Sequence, residues 1–199
     1  SNRILHIAYN TRHHKKLQAL QKKWISGAFG KPVHGRCHLY YPYSEDLGHR
    51  GRGRIRGWHS NDKQVGSWVY ADVGTHLIDQ LRWFLGDADK VLAAHNSSPS
   101  WGYRTPDHTA AMISFKNGAV GTITASTGLC GGKARLEFYA DKGYIQIDGG
   151  VIGEDGKITT CIFPGREVSE ILLQAKTYKM QVEAFANVIR NGSSYPLSP

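Results

Sequence analysis

The chain has 199 residues, 40% of them hydrophobic and 21% charged, and a formal net charge of +9. That length supports one well-cored domain, and the composition is that of an ordinary soluble globular protein, with no signal peptide and no apolar run approaching the ~20 residues needed to cross a bilayer. The basic charge is uneven: residues 1–66 hold 13 Lys and Arg against 3 Asp and Glu, whereas residues 67–199 hold 12 against 13, so whatever the charge does is confined to the N-terminal third.

Ser1-Asn2 ahead of Arg3 reads as what a protease leaves after tag removal. Ile4 to Tyr9 is a short apolar run, expected as a strand, and it ends at Asn10. From Arg12 a helical pattern sets Leu17, Leu20 and Trp24 on one face and closes at Gly27. Val33, Gly35, Cys37, Leu39 and Tyr41 then alternate with His34, Arg36, His38 and Tyr40, the period-2 signature of a strand with one buried face. Residues 42–66 show no period and read as a long irregular loop, a length at which loops are usually functional. It carries Arg50, Arg52, Arg54 and Arg56 beside His49, Trp58 and His59.

The next helix is expected from about Trp68 to Gly86. Leu77, Leu81, Phe84 and Leu85 recur at the spacing of one packed stripe. At its mouth stand Asp72 and His76, four residues apart and so on one helical face. Imidazole titrates near neutrality, and a carboxylate one turn away can orient it, which makes the pair a candidate general acid/base. The alternative is a helix-end histidine that only packs. Asp79 would complete a third ligand position for a metal, but the set lacks the nitrogen-rich or sulfur donors of an open zinc site, and no metal is expected.

Beyond this helix the texture is β. Thr109–Phe115 and Ala119–Ala125 flank Asn117-Gly118, a strong hairpin signal. Ala134–Ala140 and Tyr144–Asp148 bracket Asp141-Lys142-Gly143, and Ile158–Phe163 supplies another strand. Gln174–Arg190 returns to helix, with Met180, Phe185, Val188 and Ile189 apolar and Gly192 past its end. The grouping favours an α+β domain in which helices cover one face of a largely antiparallel sheet. The uncovered face, with its alternating apolar residues, suggests a homodimer or tetramer. Cys37, Cys130 and Cys161 are odd in number and far apart, which argues against a disulfide framework and makes a reducing cytoplasm the simplest location.

Several of these segments, in order, carry a family resemblance. Gly57-Trp58-His59, Val65-Gly66-Ser67-Trp68, Asp72-x-Gly74-x-His76-x-x-Asp79 and Gly86-Asp87 resemble the substrate domain of the glucose-fructose oxidoreductase, inositol dehydrogenase and rhizopine-catabolism oxidoreductases (Gfo/Idh/MocA). Tyr9-Asn10-x-Arg12 resembles the family's crossing from the nucleotide domain, residues 27–33 the turn after its first helix, and residues 107–126 its hairpin. The resemblance covers nearly the whole chain. It implies an open, largely antiparallel sheet like the C-terminal domains of dihydrodipicolinate reductase and glyceraldehyde-3-phosphate dehydrogenase. It also implies hydride transfer between a nicotinamide cofactor and a hydroxyl carbon of a sugar, sugar acid or cyclitol such as inositol, with Asp72 and His76 beside the hydroxyl. The family's usual three glycines before the helix are Gly66-Ser67-Trp68 here, which leaves substrate preference open.

The family's Rossmann domain, with its Gly-x-Gly-x-x-Gly phosphate turn, has no counterpart here. Gly51 to Gly57 imitates the turn without the strand and helix that would flank it. The Glu-Lys-Pro element that carries the family's active-site lysine is also missing, the one Lys-Pro being Lys31-Pro32. The expectation is therefore residues 1–199 as a single substrate-binding and oligomerisation domain, inactive alone. NAD or NADP would be held mainly by a domain upstream, with no cofactor-binding residue assigned within this chain. Asn10 and Arg12, at the domain junction, and Trp58, His59, Arg54 and Arg56, in the basic loop, are expected as substrate contacts, the arginines suited to an acidic sugar. Two alternatives stay open: a sensor of the same fold that binds dinucleotide or sugar without turnover, and, less favoured, a nucleic-acid-binding role for the basic loop. A membrane partner is not expected.

Overall fold

The alternation that begins at Val33 forms β1 (Pro32–Tyr40), the strand around which the sheet is organised. In the computed structural model, which describes residues 4–40, 62–97, 105–129, 134–150 and 155–192, β1 is followed by β2 (Ala88–Asn96), β3 (His108–Phe115), β4 (Val120–Ser126), β5 (Arg135–Ala140), β6 (Gly143–Gly149), β7 (Gly156–Ile162) and β8 (Val168–Leu172). These make one eight-stranded sheet in the order β2-β3-β4-β1-β5-β6-β7-β8. β1 lies parallel to β4, Cys37 opposite Ile123, and antiparallel to β5, Cys37 opposite Leu136. Every other neighbouring pair is antiparallel, so the expected α+β architecture with a largely antiparallel sheet is what the chain adopts.

Asn117-Gly118 closes the β3–β4 hairpin, Gly118 at a φ of 89° that favours glycine. The Asn117 side chain accepts from Ala119 N–H at 3.1 Å and donates to the Leu85 carbonyl at 2.8 Å. The turn is thereby stapled to the end of a helix as well as to itself. β5 and β6 turn back directly at residues 141–142, pairing Ala140 with Gly143.

The helices are α1 (Lys15–Ile25), a short α2 (Asp62–Val65), α3 (Thr75–Leu85) and α4 (Thr177–Asn191). The predicted stripe of α3 is buried at Leu77, Leu81, Phe84 and Leu85, and Leu17 and Trp24 of α1 are buried in the same core. Against them lie Cys37, Ile123, Leu136 and Phe138. At about 1.5–3 kcal/mol for each fully buried large apolar side chain, this one layer supplies much of the hydrophobic stabilisation. Phe84 stacks on Phe138 with centroids 4.0 Å apart, and Trp24 meets both rings while donating its indole N–H to the Phe84 carbonyl at 2.8 Å.

Two glycines set how closely α3 approaches the sheet. Gly35 and Gly121 pair across β1 and β4, and a Cβ on either would stand 2.8–3.0 Å from a methyl of Leu81. Removing both side chains makes the hollow that Leu81 fills, and any larger residue would push α3 outward.

The departures from the sequence expectations have physical causes. Ile4 to Tyr9 is not a strand; it runs outside the sheet with Ile4, Leu5 and Ile7 exposed, and leads into a 3-10 turn at Asn10–His13. The sequence pattern predicts neither β2 nor β8. They are the two outer strands, β2 exposed along its whole length and β8 buried only at Leu172, so neither shows the alternation that marks a half-buried strand. α4 matches the expected helix and ends at Gly192, which adopts a left-handed φ of 60°. Of the apolar residues on α4, Val188 is buried, whereas Tyr178, Val182 and Ile189 are exposed. The long loop falls mostly outside the described residues, apart from α2. No helix among the described residues is long and apolar enough to cross a membrane.

Candidate functional site

The helix that carries the acid and imidazole does not begin as a regular α-helix. Residues 68–85 are continuously helical, but Tyr70–Gly74 form a π-helical turn that passes into α3 at Thr75. Asp72 lies within that turn and His76 just beyond it, so the α-helical spacing assumed from sequence is altered between them. Single π turns of this kind occur mostly within α-helices and often at functional sites. Thr75 Oγ1 donates to the Asp72 carbonyl at 3.0 Å, supplying a side-chain partner where the backbone ladder changes register.

Asp72 and His76 are both half-buried. Burial pushes the His76 imidazole below its ordinary value of 6.5, and the negative charges of Asp72 and Asp79 work in the opposite direction. The ring is therefore held neutral at physiological pH, with nitrogen free to accept a proton. Tyr9, from the segment ahead of the 3-10 turn, meets the His76 ring edge-on, with centroids 6.0 Å apart and an interplanar angle of 82°.

Asp79, the next acidic residue of the helix, has a different task. Arg12 grips it in a fork, Nη2 to Oδ1 at 2.8 Å and Nε to Oδ2 at 3.0 Å. The two side chains are only 10% and 3% exposed. The Arg12 guanidinium lies 5.7 Å from the centre of the Trp83 ring, and Gln80 Nε2 reaches Asp79 Oδ2 at 3.4 Å. Burial pushes the Asp79 carboxyl up while the Arg12 hydrogen bonds and charge pull it down. The bidentate geometry is that of an ionised pair, and the carboxylate is the form it holds.

The structure thus gives Arg12 a structural partner in Asp79. Asn10 likewise is buried and donates from Nδ2 to Thr177 Oγ1 at 2.9 Å, tying the 3-10 turn to the start of α4. Trp58, His59, Arg54 and Arg56 lie outside the described residues. Residue type marks Asp79, an acid on a packed helix, as needing a cation, but its partner Arg12 lies 67 residues away and no local pattern names it.

A cleft of about 600 Å³ opens between α1, α4 and the far end of α3, lined by Lys15, Lys22, Arg82, Trp83 and Met180 among others. Neither Asp72 nor His76 lines it. The candidate site, the acid and imidazole at the start of α3, therefore lies apart from that hollow.

Residues 17–146 match the family model described as the GFO/IDH/MocA C-terminal domain. No curated protein matches the sequence. Among solved structures, an oxidoreductase from Thermotoga maritima is 25% identical with a TM-score of 0.76, over 99% of this chain and 55% of its own. The aldose-aldose oxidoreductase from Caulobacter crescentus, complexed with glycerol, shares the fold at a TM-score of 0.80 and 18% identity, over 98% of this chain and 56% of its own. Levoglucosan dehydrogenase in complex with NADH and levoglucosan shares it at 0.77 and 20% identity, over 97% of this chain and 59% of its own. The chain therefore spans a little over half the length of the solved chains it resembles.

Removing one partner of the buried pair tests its weight. Arg12→Met is expected to cost about 3–5 kcal/mol, because Asp79 is left charged and unpaired in the core. The deficit should shrink as pH falls and the orphaned carboxyl protonates, and Asp79→Leu added to Arg12→Met should recover most of it. Urea denaturation measures all three, and a single variant as stable as the parent at pH 7 would show that the pair carries no such load.

Proposed function

The chain belongs to the Gfo/Idh/MocA family, and on that premise we propose that it is the substrate domain of an NAD(P)-dependent oxidoreductase acting on a hydroxyl carbon of a sugar, sugar acid or cyclitol. The observation that carries this reading is the half-buried His76 close to Asp72 at the start of α3, its imidazole pushed below its ordinary value by burial. A neutral imidazole can take the proton of a substrate hydroxyl as its carbon is oxidised, and Asp72 stabilises the imidazolium that results. Asp72 also accepts a hydrogen bond from a second substrate hydroxyl. The nicotinamide cofactor supplies hydride acceptance and donation, and is bound mainly by a nucleotide-binding domain that precedes this chain. The lysine of that domain shares the proton relay. Similar folds are seen in proteins complexed with NADH and levoglucosan or with glycerol, which supports a polyhydroxylated substrate. This chain alone is proposed to be inactive and, with its cysteines reduced, cytoplasmic.

We also propose that the second face of the sheet joins copies of the chain. His34, Arg36 and His38 stand on that face beside β4 and β5. Glu137 there forms ion pairs with Arg36 at 2.8 Å and Arg135 at 3.4 Å and accepts a hydrogen bond from the Tyr139 hydroxyl at 3.1 Å, while Arg135 also pairs with Asp148 at 3.0 Å. Leu92 and Met112, opposite each other on β2 and β3, are exposed apolar residues of the same sheet. A pre-formed charge network beside exposed apolar side chains suits an isologous contact in which each copy presents the same surface.

Two outcomes are expected. In the full-length protein, kcat/KM for polyol oxidation falls as pH drops through the His76 value, because protonated His76 cannot act as base, so the acid limb of the profile lies below 6.5. His76→Asn removes that limb and lowers kcat by about 10²- to 10⁴-fold while NADH still binds; a variant with the parent's profile excludes His76 as the proton acceptor. For assembly, light scattering at micromolar concentration should give a dimer or tetramer, and Leu92→Asp with Met112→Asp should drive it toward monomer. A parent that is monomeric would remove the sheet face as an interface.

A further inference from the structure

Anchoring of the 3-10 turn leaves one neighbouring side chain uncommitted beside His76. Asn10 is held by Thr177 of α4, Arg12 by Asp79 of α3, and the Arg12 carbonyl by Gln18 Nε2 of α1 at 2.8 Å. Three separate elements thus grip the turn, and Arg12 N–H in turn donates to the Tyr9 carbonyl at 3.2 Å. Tyr9 is consequently fixed where its ring meets the imidazole edge-on, an arrangement favoured between aromatic rings. The Tyr9 ring is half-buried, and its hydroxyl makes no hydrogen bond to another described residue.

We propose that Tyr9 is a positioning and substrate-binding residue of this site: its ring sets the plane of the His76 imidazole, and its hydroxyl pairs with a hydroxyl group of the polyol. The proposal rests on the reading of His76 given above and extends it to a residue from a different segment. Tyrosine suits both tasks. Its ring is rigid and apolar enough to pack on the imidazole, and its phenol can donate to and accept from a sugar hydroxyl. Burial and the negative charge of Asp79 push the phenol above its ordinary value of 10, against the pull of Arg12 and Arg82. It therefore stays protonated at any working pH and remains a hydrogen-bond donor. On the same turn Arg12 forks onto Asp79, and the residue that meets the imidazole is Tyr9.

Other groups act on the same imidazole. Asp72 and Asp79 face it from its own helix and raise its affinity for a proton; Tyr9 contributes exclusion of water, which acts in the opposite direction. Replacing Tyr9 with a smaller or flexible side chain should therefore let the His76 value move up toward 6.5.

The test uses Tyr9→Phe and Tyr9→Leu in the full-length protein, with myo-inositol and levoglucosan as probes, together with NMR titration of the His76 ring in the 199-residue chain. Phe keeps the ring contact and loses the hydroxyl, so KM should rise about two- to tenfold, the worth of one neutral hydrogen bond, with kcat and the pH profile unchanged. Leu should in addition lower kcat and shift the His76 titration upward. An unchanged KM in the Phe variant overturns the hydroxyl role, and a His76 ring that titrates identically in the Leu variant and the parent overturns the positioning role. If the full-length parent oxidises neither polyol while binding NADH, the oxidoreductase reading for these substrates fails, and the ring titration still decides whether Tyr9 positions His76.

Discussion

The buried fork between Arg12 and Asp79 is the contact on which the geometry around His76 depends. A guanidinium and a carboxylate removed from water are costly to bury, and each is tolerable only because the other is there with good geometry. The pair joins residues far apart in the chain, the turn after the N-terminal segment and the middle of α3, one helical turn beyond His76. Its effect is to hold three things in register: the segment that carries Tyr9, the helix that carries Asp72 and His76, and, through Asn10 and Thr177, the start of α4. The other end of α3 is held by different means, the Asn117 side chain on the Leu85 carbonyl and Leu81 seated over the paired Gly35 and Gly121. The π-helical stretch at Tyr70–Gly74 precedes the segment of α3 held in this way.

The two faces of the sheet divide the work. One is closed by α1 and α3 around the Trp24, Phe84 and Phe138 cluster, which makes it rigid and places the His76 end of α3 at its margin. The other carries polar and charged side chains already linked to each other around Glu137. The two faces meet on β1, where Cys37 points into the core and Arg36 and His38 to the opposite side. Burial pushes the Cys37 thiol up, which leaves it as a small packing residue in place of a nucleophile.

Much of this order was legible in the sequence because it is periodic. The α3 stripe, the alternation of β1, and the two hairpins around Asn117-Gly118 and Asp141-Lys142-Gly143 all rest on local patterns that the fold keeps. β2 and β8 escaped because outer strands have no face whose burial imposes a period, and Ile4 to Tyr9 misled because an apolar run says nothing of which surface will cover it. Asp72 and His76 could be found from their spacing, but not the π turn between them, since one extra residue in a helical turn leaves no mark on an apolar pattern. The partners of Arg12 and Asn10 are out of reach of sequence for a simpler reason: both contacts span long sequence separations, 67 and 167 residues, which no local pattern records. Arg54, Arg56, Trp58 and His59 lie outside the described residues, and their part in substrate recognition stands as it did from sequence.

Calorimetric titration with NADH of this chain, and of a protein extended upstream through the natural start codon, tests the account most directly. If this is the substrate half of a nicotinamide-dependent oxidoreductase, the extended protein binds NADH with a defined stoichiometry and the 199-residue chain does not. Absence of binding by both proteins would contradict the proposed chemistry and leave the shared fold without that function.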